Sequence, residues 1–204
     1  SSAASDVYKR QPNNRTYPDW DLQVLGECYE SVDYLSLHYY HTAPEGNIGA
    51  LMNASSVFED FINTEIAACD VMQAHFRSPK KMMISFDEWG VITDTGAVPG
   101  GVSQDFGFAN FRQLDAVIYG GLLCTFLNYA DRVKIACQSL LVNEGGMITT
   151  DPGGKAIRQT TFYPFQDAAR YGRGISLKGA ARLPKAATCH HGEQETVTTA
   201  CVYN

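Results

Sequence analysis

The sequence predicts an α/β fold built on a parallel sheet, and three observations predict it. Apolar strands and amphipathic helices alternate from residue 18 to about residue 178, the pattern of βα units joined by right-handed crossovers. The strands read as nearly continuous apolar runs, as strands covered on both faces do. Two of them end on polar and aromatic clusters, HYY at 38–40 and DEW at 87–89.

Each element has its own warrant. Residues 18–31 (PDWDLQVLGECYES) place Trp20, Val24, Leu25, Cys28 and Tyr29 at helical spacing, and Pro18 suits a first turn. DYLSLHYY (33–40) reads as a strand and is followed by a loop rich in Gly, Pro and Asn. Residues 56–76 form the next helix: Ser56 and Glu59 fit a capping box, and Phe58, Phe61, Ile62, Ile66, Cys69 and Met72 share a face. RSPKK breaks that helix and MMISF (82–86) is the second strand. A long helix is expected from about 104 to 129, with Phe108, Phe111, Leu114, Ile118, Leu122 and Phe126 in step. RVKIACQSLLV (132–142) is the third strand, and YPFQDAARYGRG gives a short helix stopped by Gly172 or Gly174. From about Gly179 the register changes; ETVTTACVYN alternates Thr and Val and reads as the first strand of a second unit.

Composition bounds the function. With 204 residues and 45% apolar content the chain can bury one substantial core with an appended piece. A formal charge of −6 and a pI near 5.3 argue against nucleic acid or an anionic membrane as a main partner. No apolar stretch approaches the roughly 20 residues of a membrane helix. Six cysteines form no CxxC pair, and Cys28, Cys69, Cys124 and Cys137 lie in apolar segments. That is where free thiols act as small buried hydrophobes, so a reduced, cytoplasmic setting is expected. His190 and His191 beside Cys189 lack the spacing of a closed zinc site, and no metal or organic cofactor is expected. The opening SSAASDVYKRQ lacks an apolar signal core. Residues 1–11 are therefore set apart from the fold, with the natural N-terminus expected to lie elsewhere. NRT at 14–16 and NAS at 53–55 fit the glycosylation triplet, which is common by chance.

Parity along the strands points to a site. Side chains two apart share a face, so Ile84, Phe86 and Glu88 are expected on one side and Met83, Ser85 and Asp87 on the other. Ser36, His38 and Tyr40 share a face, opposite Leu35, Leu37 and Tyr39. The leucine face suits the helix layer, which leaves His38, Tyr40 and Glu88 converging at the C-terminal rim, where a (β/α)8 barrel holds its reacting groups. A strand-end Glu is ordinarily a surface group and a strand-end His ordinarily structural; their convergence with a phenol favours a site. Asp87, on the other face, reads as a loop cap.

Five stretches, YPDWDLQVLGECYESVDYLSLHYY, ISFDEWG, GGLLCTFLNYADRVKIAC, RQTTFYPFQDAARYGRG and TACVYN, together resemble the α-L-arabinofuranosidases of glycoside hydrolase family 51 in order and spacing. The resemblance implies a (β/α)8 TIM barrel followed by a C-terminal β-sandwich, and a retaining mechanism. It places the nucleophile on Glu88 at the tip of the seventh barrel strand, its hydrogen-bonding Tyr on Tyr40 in the sixth, and His38 in the same motif. Trp89 is expected to wall the pocket. The implied architecture is a partial barrel, about strands 6–8 with their helices over residues 12–178, then a linker and the first strand of the sandwich over 179–204.

Departures from the family pattern matter as well. The acid/base Glu of an Asn-Glu pair ends the family's fourth strand, and no such strand is present, so an internal fragment lacking the proton donor is expected. Gly90 and Ile92 stand where the family usually has Asn and Trp. A sugar-binding Gln aligns with Leu140; Gln138 shares that face about 7 Å deeper, at about 3.3 Å per residue. The expected partner is an arabinose-containing oligosaccharide or polysaccharide, with assembly into a homo-oligomer open to the full-length protein. Alternatives are a β-1,4-glucan or xyloside specificity on the same fold, a catalytically inert fragment, and a doubly wound nucleotide-binding domain. The last lacks a glycine-rich turn opening a helix after its first strand.

Overall fold

The computed structural model describes residues 18–42, 47–92, 111–138, 140–143, 145–179, 181–188 and 192–204. The NRT triplet, Phe108 and the Cys189–His191 run lie outside them.

Helix α1 (Asp19–Cys28) continues into one 3-10 turn, Tyr29–Ser31. Asp19 and Asp21 in its first turn complement the helix dipole. Its buried row is Asp21, Leu25 and Tyr29, four residues apart, whereas Trp20 is 38% exposed. The expectation of Trp20 on the inner face therefore fails by one position around the helix.

Strand β1 (Tyr34–Thr42) buries Leu35, Leu37, Tyr39 and His41 in strict alternation. Helix α2 (Ile48–Met52) is capped by Asn47, whose side-chain oxygen accepts from the Ala50 amide at 2.9 Å. Helix α3 (Ala54–Phe76) starts two residues ahead of Ser56. The expected Ser56–Glu59 capping box does not form, because Ser56 already lies inside the helix and its hydroxyl points to the Gln194 side chain at 3.4 Å. The helix ends with Arg77 in the left-handed region (φ 50°), while the Ser78 amide donates to Gln73 O and the Arg77 amide to Ala74 O.

Strand β2 (Met83–Ile92) occupies the centre of a parallel three-stranded sheet, between β1 and β3 (Val133–Ala136). Helix α4 (Gln113–Asn128) crosses between them and starts later than its apolar periodicity suggested. Arg112 stands at its N-cap, and Asp115 accepts from the Arg112 amide to close the first turn. Phe58, Phe86 and Phe126 form a triangle with ring centroids 5.0–5.1 Å apart, locking α3, β2 and α4 together. Edge-on pairs of this kind contribute about 0.5–1.5 kcal/mol each beyond area burial. Arg132, buried ahead of β3, reaches Asp70 of α3 at 2.9 Å and donates to Met82 O at 3.2 Å.

The third strand is shorter than the expected 132–142. Its ladder runs to Cys137, whose amide donates to Phe86 O, and Val142 makes only an isolated bridge to Ile148. Beyond it come a small antiparallel pair, β4 (Ile148–Thr149) with β5 (Ile157–Arg158), and helix α5 (Phe162–Tyr171), which stops at Gly172.

The C-terminal part holds more strands than the single one expected. Strand β6 (Ile175–Leu177) pairs antiparallel with β9 (Cys201–Tyr203), and β7 (Lys185–Thr188) pairs with β8 (Gly192–Glu195). KAAT and GEQE carry no apolar alternation, so backbone pairing alone reveals them. Among the described residues five cysteines are free, and burial pushes the Cys69 thiol up to about 12. No helix among them is long and apolar enough to cross a membrane.

Candidate active site

The site is built in the C-terminal halves of β1 and β2. From Tyr34↔Met83 to Leu37↔Phe86 the two strands pair residue for residue; the register then shifts, and His38 faces Glu88. Asp87 is the extra residue of a β-bulge, two residues on β2 opposing one on β1. Strict alternation along β2 is thus corrected. Ile84 and Phe86 lie fully buried toward the helices, while the bulge brings Glu88 to the opposite face with His38 and Tyr40. The expected convergence exists, and the bulge rather than parity produces it.

Tyr40 Oη donates to Glu88 Oε2 at 3.2 Å, and His38 Nδ1 lies 3.6 Å from the same oxygen. The His38 side chain is 7% exposed and that of Glu88 32%, so a buried imidazole flanks, without hydrogen-bonding, a carboxylate that still meets solvent. Both contacts fall on Oε2 and leave Oε1 outside them. Such an arrangement suits a carboxylate oriented by a phenol donor and open to an incoming group.

Three further residues depart from their expected places. Trp89 has no exposed surface and lies on the helix-facing side, against Tyr119 and Phe126 with centroids at 5.2 and 5.1 Å and stacked on Phe165 at 6.3 Å. It cannot wall a pocket as expected; it backs the rim from behind. Asp87, read as a loop cap, instead accepts from the hydroxyls of Ser36 and Ser85. Gln138 directs its amide nitrogen to Gly145 O at 3.0 Å and Tyr119 Oη at 3.4 Å, one step behind the rim.

Tyr119 was not foreseen. Burial raises its pKa well above the ordinary tyrosine value, so its hydroxyl stays protonated. A methyl group on Gly90 would sit 3.0 Å from Tyr119 Oη and 3.4 Å from Tyr40 Cε1. Gly90 therefore lets the Tyr119 hydroxyl and the Tyr40 ring meet the strand backbone. The available signal was small or hydroxylated residues, Ser36, Ser85 and Gly90, inside apolar strands. No cluster of three metal-ligating side chains occurs among the described residues.

The sequence profile of the α-L-arabinofuranosidase C-terminal domain matches residues 87–204, more than half of the chain. A solved structure from Bifidobacterium longum, described as AbfB, a family 51 α-L-arabinofuranosidase, superposes with a TM-score of 0.78 at 31% identity. It covers 89% of this chain and 38% of that one. The chain belongs to glycoside hydrolase family 51.

Among curated family members, the intracellular exo-α-(1→5)-L-arabinofuranosidase of Streptomyces lividans is 38% identical over 193 residues, 92% of this chain and 29% of that enzyme. The exo-α-(1→6)-L-arabinofuranosidase of Bifidobacterium longum is 34% identical over 209 residues, 92% of this chain and 38% of that enzyme. The chain thus spans well under half the length of these relatives. The profile match begins at Asp87, so the bulge itself stands at its first residues.

Proposed function

We propose that the protein carrying this chain is a retaining glycoside hydrolase that removes terminal non-reducing α-L-arabinofuranosyl residues from arabinan- or arabinoxylan-type saccharides. The observation that carries the reading is the Glu88 carboxylate bound by Tyr40 and flanked by His38 in the C-terminal half of a central parallel strand. The relatives' names, all exo-acting arabinofuranosidases, support the sugar.

In this reading a Glu88 oxygen attacks the anomeric carbon as the bond to the leaving oxygen breaks. A second carboxyl, about 5–5.5 Å away, protonates that oxygen. The resulting arabinosyl ester on Glu88 is then cleaved by water, which the same second carboxyl deprotonates. Tyr40 holds the nucleophile, His38 flanks it, and Gln138 supports the rim through Tyr119. The proton donor belongs to a strand outside this chain.

The sheet β1–β2–β3 is read as strands six to eight of the barrel within residues 12–178, and residues 179–204 as the start of the sandwich. The outer edges of β1 and β3 find no strand among the described residues, and Tyr34 and Ile135 are exposed there. This supports a barrel closed by other strands and an isolated chain that is inert. The intracellular naming of the relatives and the free thiols support a cytoplasmic setting. Changing Glu88→Gln in the full-length protein is expected to abolish hydrolysis of an aryl arabinofuranoside; undiminished turnover refutes the reading.

A further inference from the structure

Without the bulge in β2, Glu88 would fall in the row of Ile84 and Phe86. That row has no exposed surface and packs among Phe58, Phe61 and Phe126. An ionised carboxylate there would lose its hydration with no partner in return. The bulge is therefore a condition of the site, and something has to hold it.

We propose that Asp87 is a positioning residue for Glu88, its carboxylate clamped by Ser36 and Ser85 so that the bulge keeps Glu88 on the face of His38 and Tyr40. Asp87 is the extra residue itself. Its Oδ2 accepts from Ser36 on β1 and its Oδ1 from Ser85 on β2, and these two serines are paired across the strands. One carboxylate thus bridges both strands directly below the register shift. The extra residue of a bulge lacks a ladder partner of its own, and the side-chain clamp supplies what the ladder omits. Both serine hydroxyls donate to Asp87, which engages its two oxygens in holding the strands together. A second negative charge beside Glu88 is otherwise unfavourable; two charge-assisted bonds offset it.

The proposal rests on Glu88 being the nucleophile, and the test separates the two. In the full-length protein, kcat and KM are measured for Asp87→Ala, Asp87→Asn, the double change Ser36→Ala with Ser85→Ala, and Glu88→Gln. The substrates are nitrophenyl and dinitrophenyl arabinofuranosides. Asp87→Ala and the double serine change are expected to lower kcat about 100-fold with KM within about threefold, the cost of moving a reacting atom by about 1 Å. The loss should be the same for both leaving groups, because a misplaced nucleophile slows attack whatever departs. Asp87→Asn should recover activity to within about tenfold of the parent, since its amide can accept from one serine and donate to the other.

Parent-like kcat in Asp87→Ala beside an inactive Glu88→Gln overturns the proposal alone. A loss that grows with the poorer leaving group also overturns it, by placing Asp87 in proton donation. Full turnover by Glu88→Gln overturns the underlying reading and the proposal with it. Should Asp87→Ala fail to fold, the serine pair and Asp87→Asn carry the same comparison.

Discussion

Replacing Tyr40 with Phe removes one hydroxyl and leaves the ring against Gly90 in place. The lost contact is the donor bond to Glu88 Oε2 at 3.2 Å. Hydrogen bonds to charged groups contribute about 1.5–3 kcal/mol. This one is longer than the 2.5–2.7 Å of strong phenol–carboxylate bonds, and Glu88 is about one-third exposed to competing water. The low end therefore applies, about 1.5 kcal/mol, which is about tenfold in rate at about 1.4 kcal/mol per decade. Steady-state hydrolysis of an aryl arabinofuranoside by the full-length Tyr40→Phe protein should show this loss mainly in kcat, because the phenol orients the attacking group. A change below about twofold would mean that the bond contributes nothing to attack, and a loss beyond about a thousandfold that the phenol itself takes part in the chemistry. Either result refutes the reasoning.

Two further expectations concern the residues around that bond. Gly90→Ala should lower kcat about tenfold, because its methyl meets Tyr119 Oη at 3.0 Å and crowds the Tyr40 ring. Adding Tyr119→Phe, which removes the crowded oxygen, should restore part of that loss in the double variant, measured by the same assay. His41 makes stability pH-dependent: burial lowers its pKa below 6.5, and its neutral ring is held between Tyr39 Oη at 3.1 Å and Ala50 O at 3.2 Å. The unfolded chain then binds the proton more readily, so stability present above about pH 6.5 is lost as pH falls from there through the folded value. Thermal melting between about pH 7.5 and 5 should show the decline, and His41→Gln should flatten it.

Much of the fold was legible because its signals are local and strong. The apolar run Met82–Phe86, the face Phe58–Ile62–Cys69–Met72 and the stop at Gly172 all lie in the structure as the periodicity implies. The convergence of His38, Tyr40 and Glu88 was legible too, but for an incomplete reason. Simple alternation assigns Glu88 to the side of Phe86, and only the pairing register reveals the extra residue at Asp87. A bulge depends on the neighbouring strand, so no count along one strand can locate it. Trp89 was misplaced for a different reason: it was assigned to the pocket as a neighbour of Glu88, although adjacent strand residues point to opposite faces, and it packs against the helices. The β7–β8 pair was missed because KAAT and GEQE are polar or small and carry no apolar alternation to mark them as strands. Tyr119 was missed because helix α4 buries Tyr119 with Ile118 and Leu122, and nothing in that spacing marks its hydroxyl as facing a strand end.

The most direct test is covalent trapping. The full-length protein is incubated with a 2-deoxy-2-fluoro arabinofuranoside carrying a good leaving group, and the labelled peptide is then sequenced by mass spectrometry. A single sugar ester on Glu88 is the predicted result. An ester on Asp87 or any other carboxylate, or full turnover with no ester formed, would contradict the account.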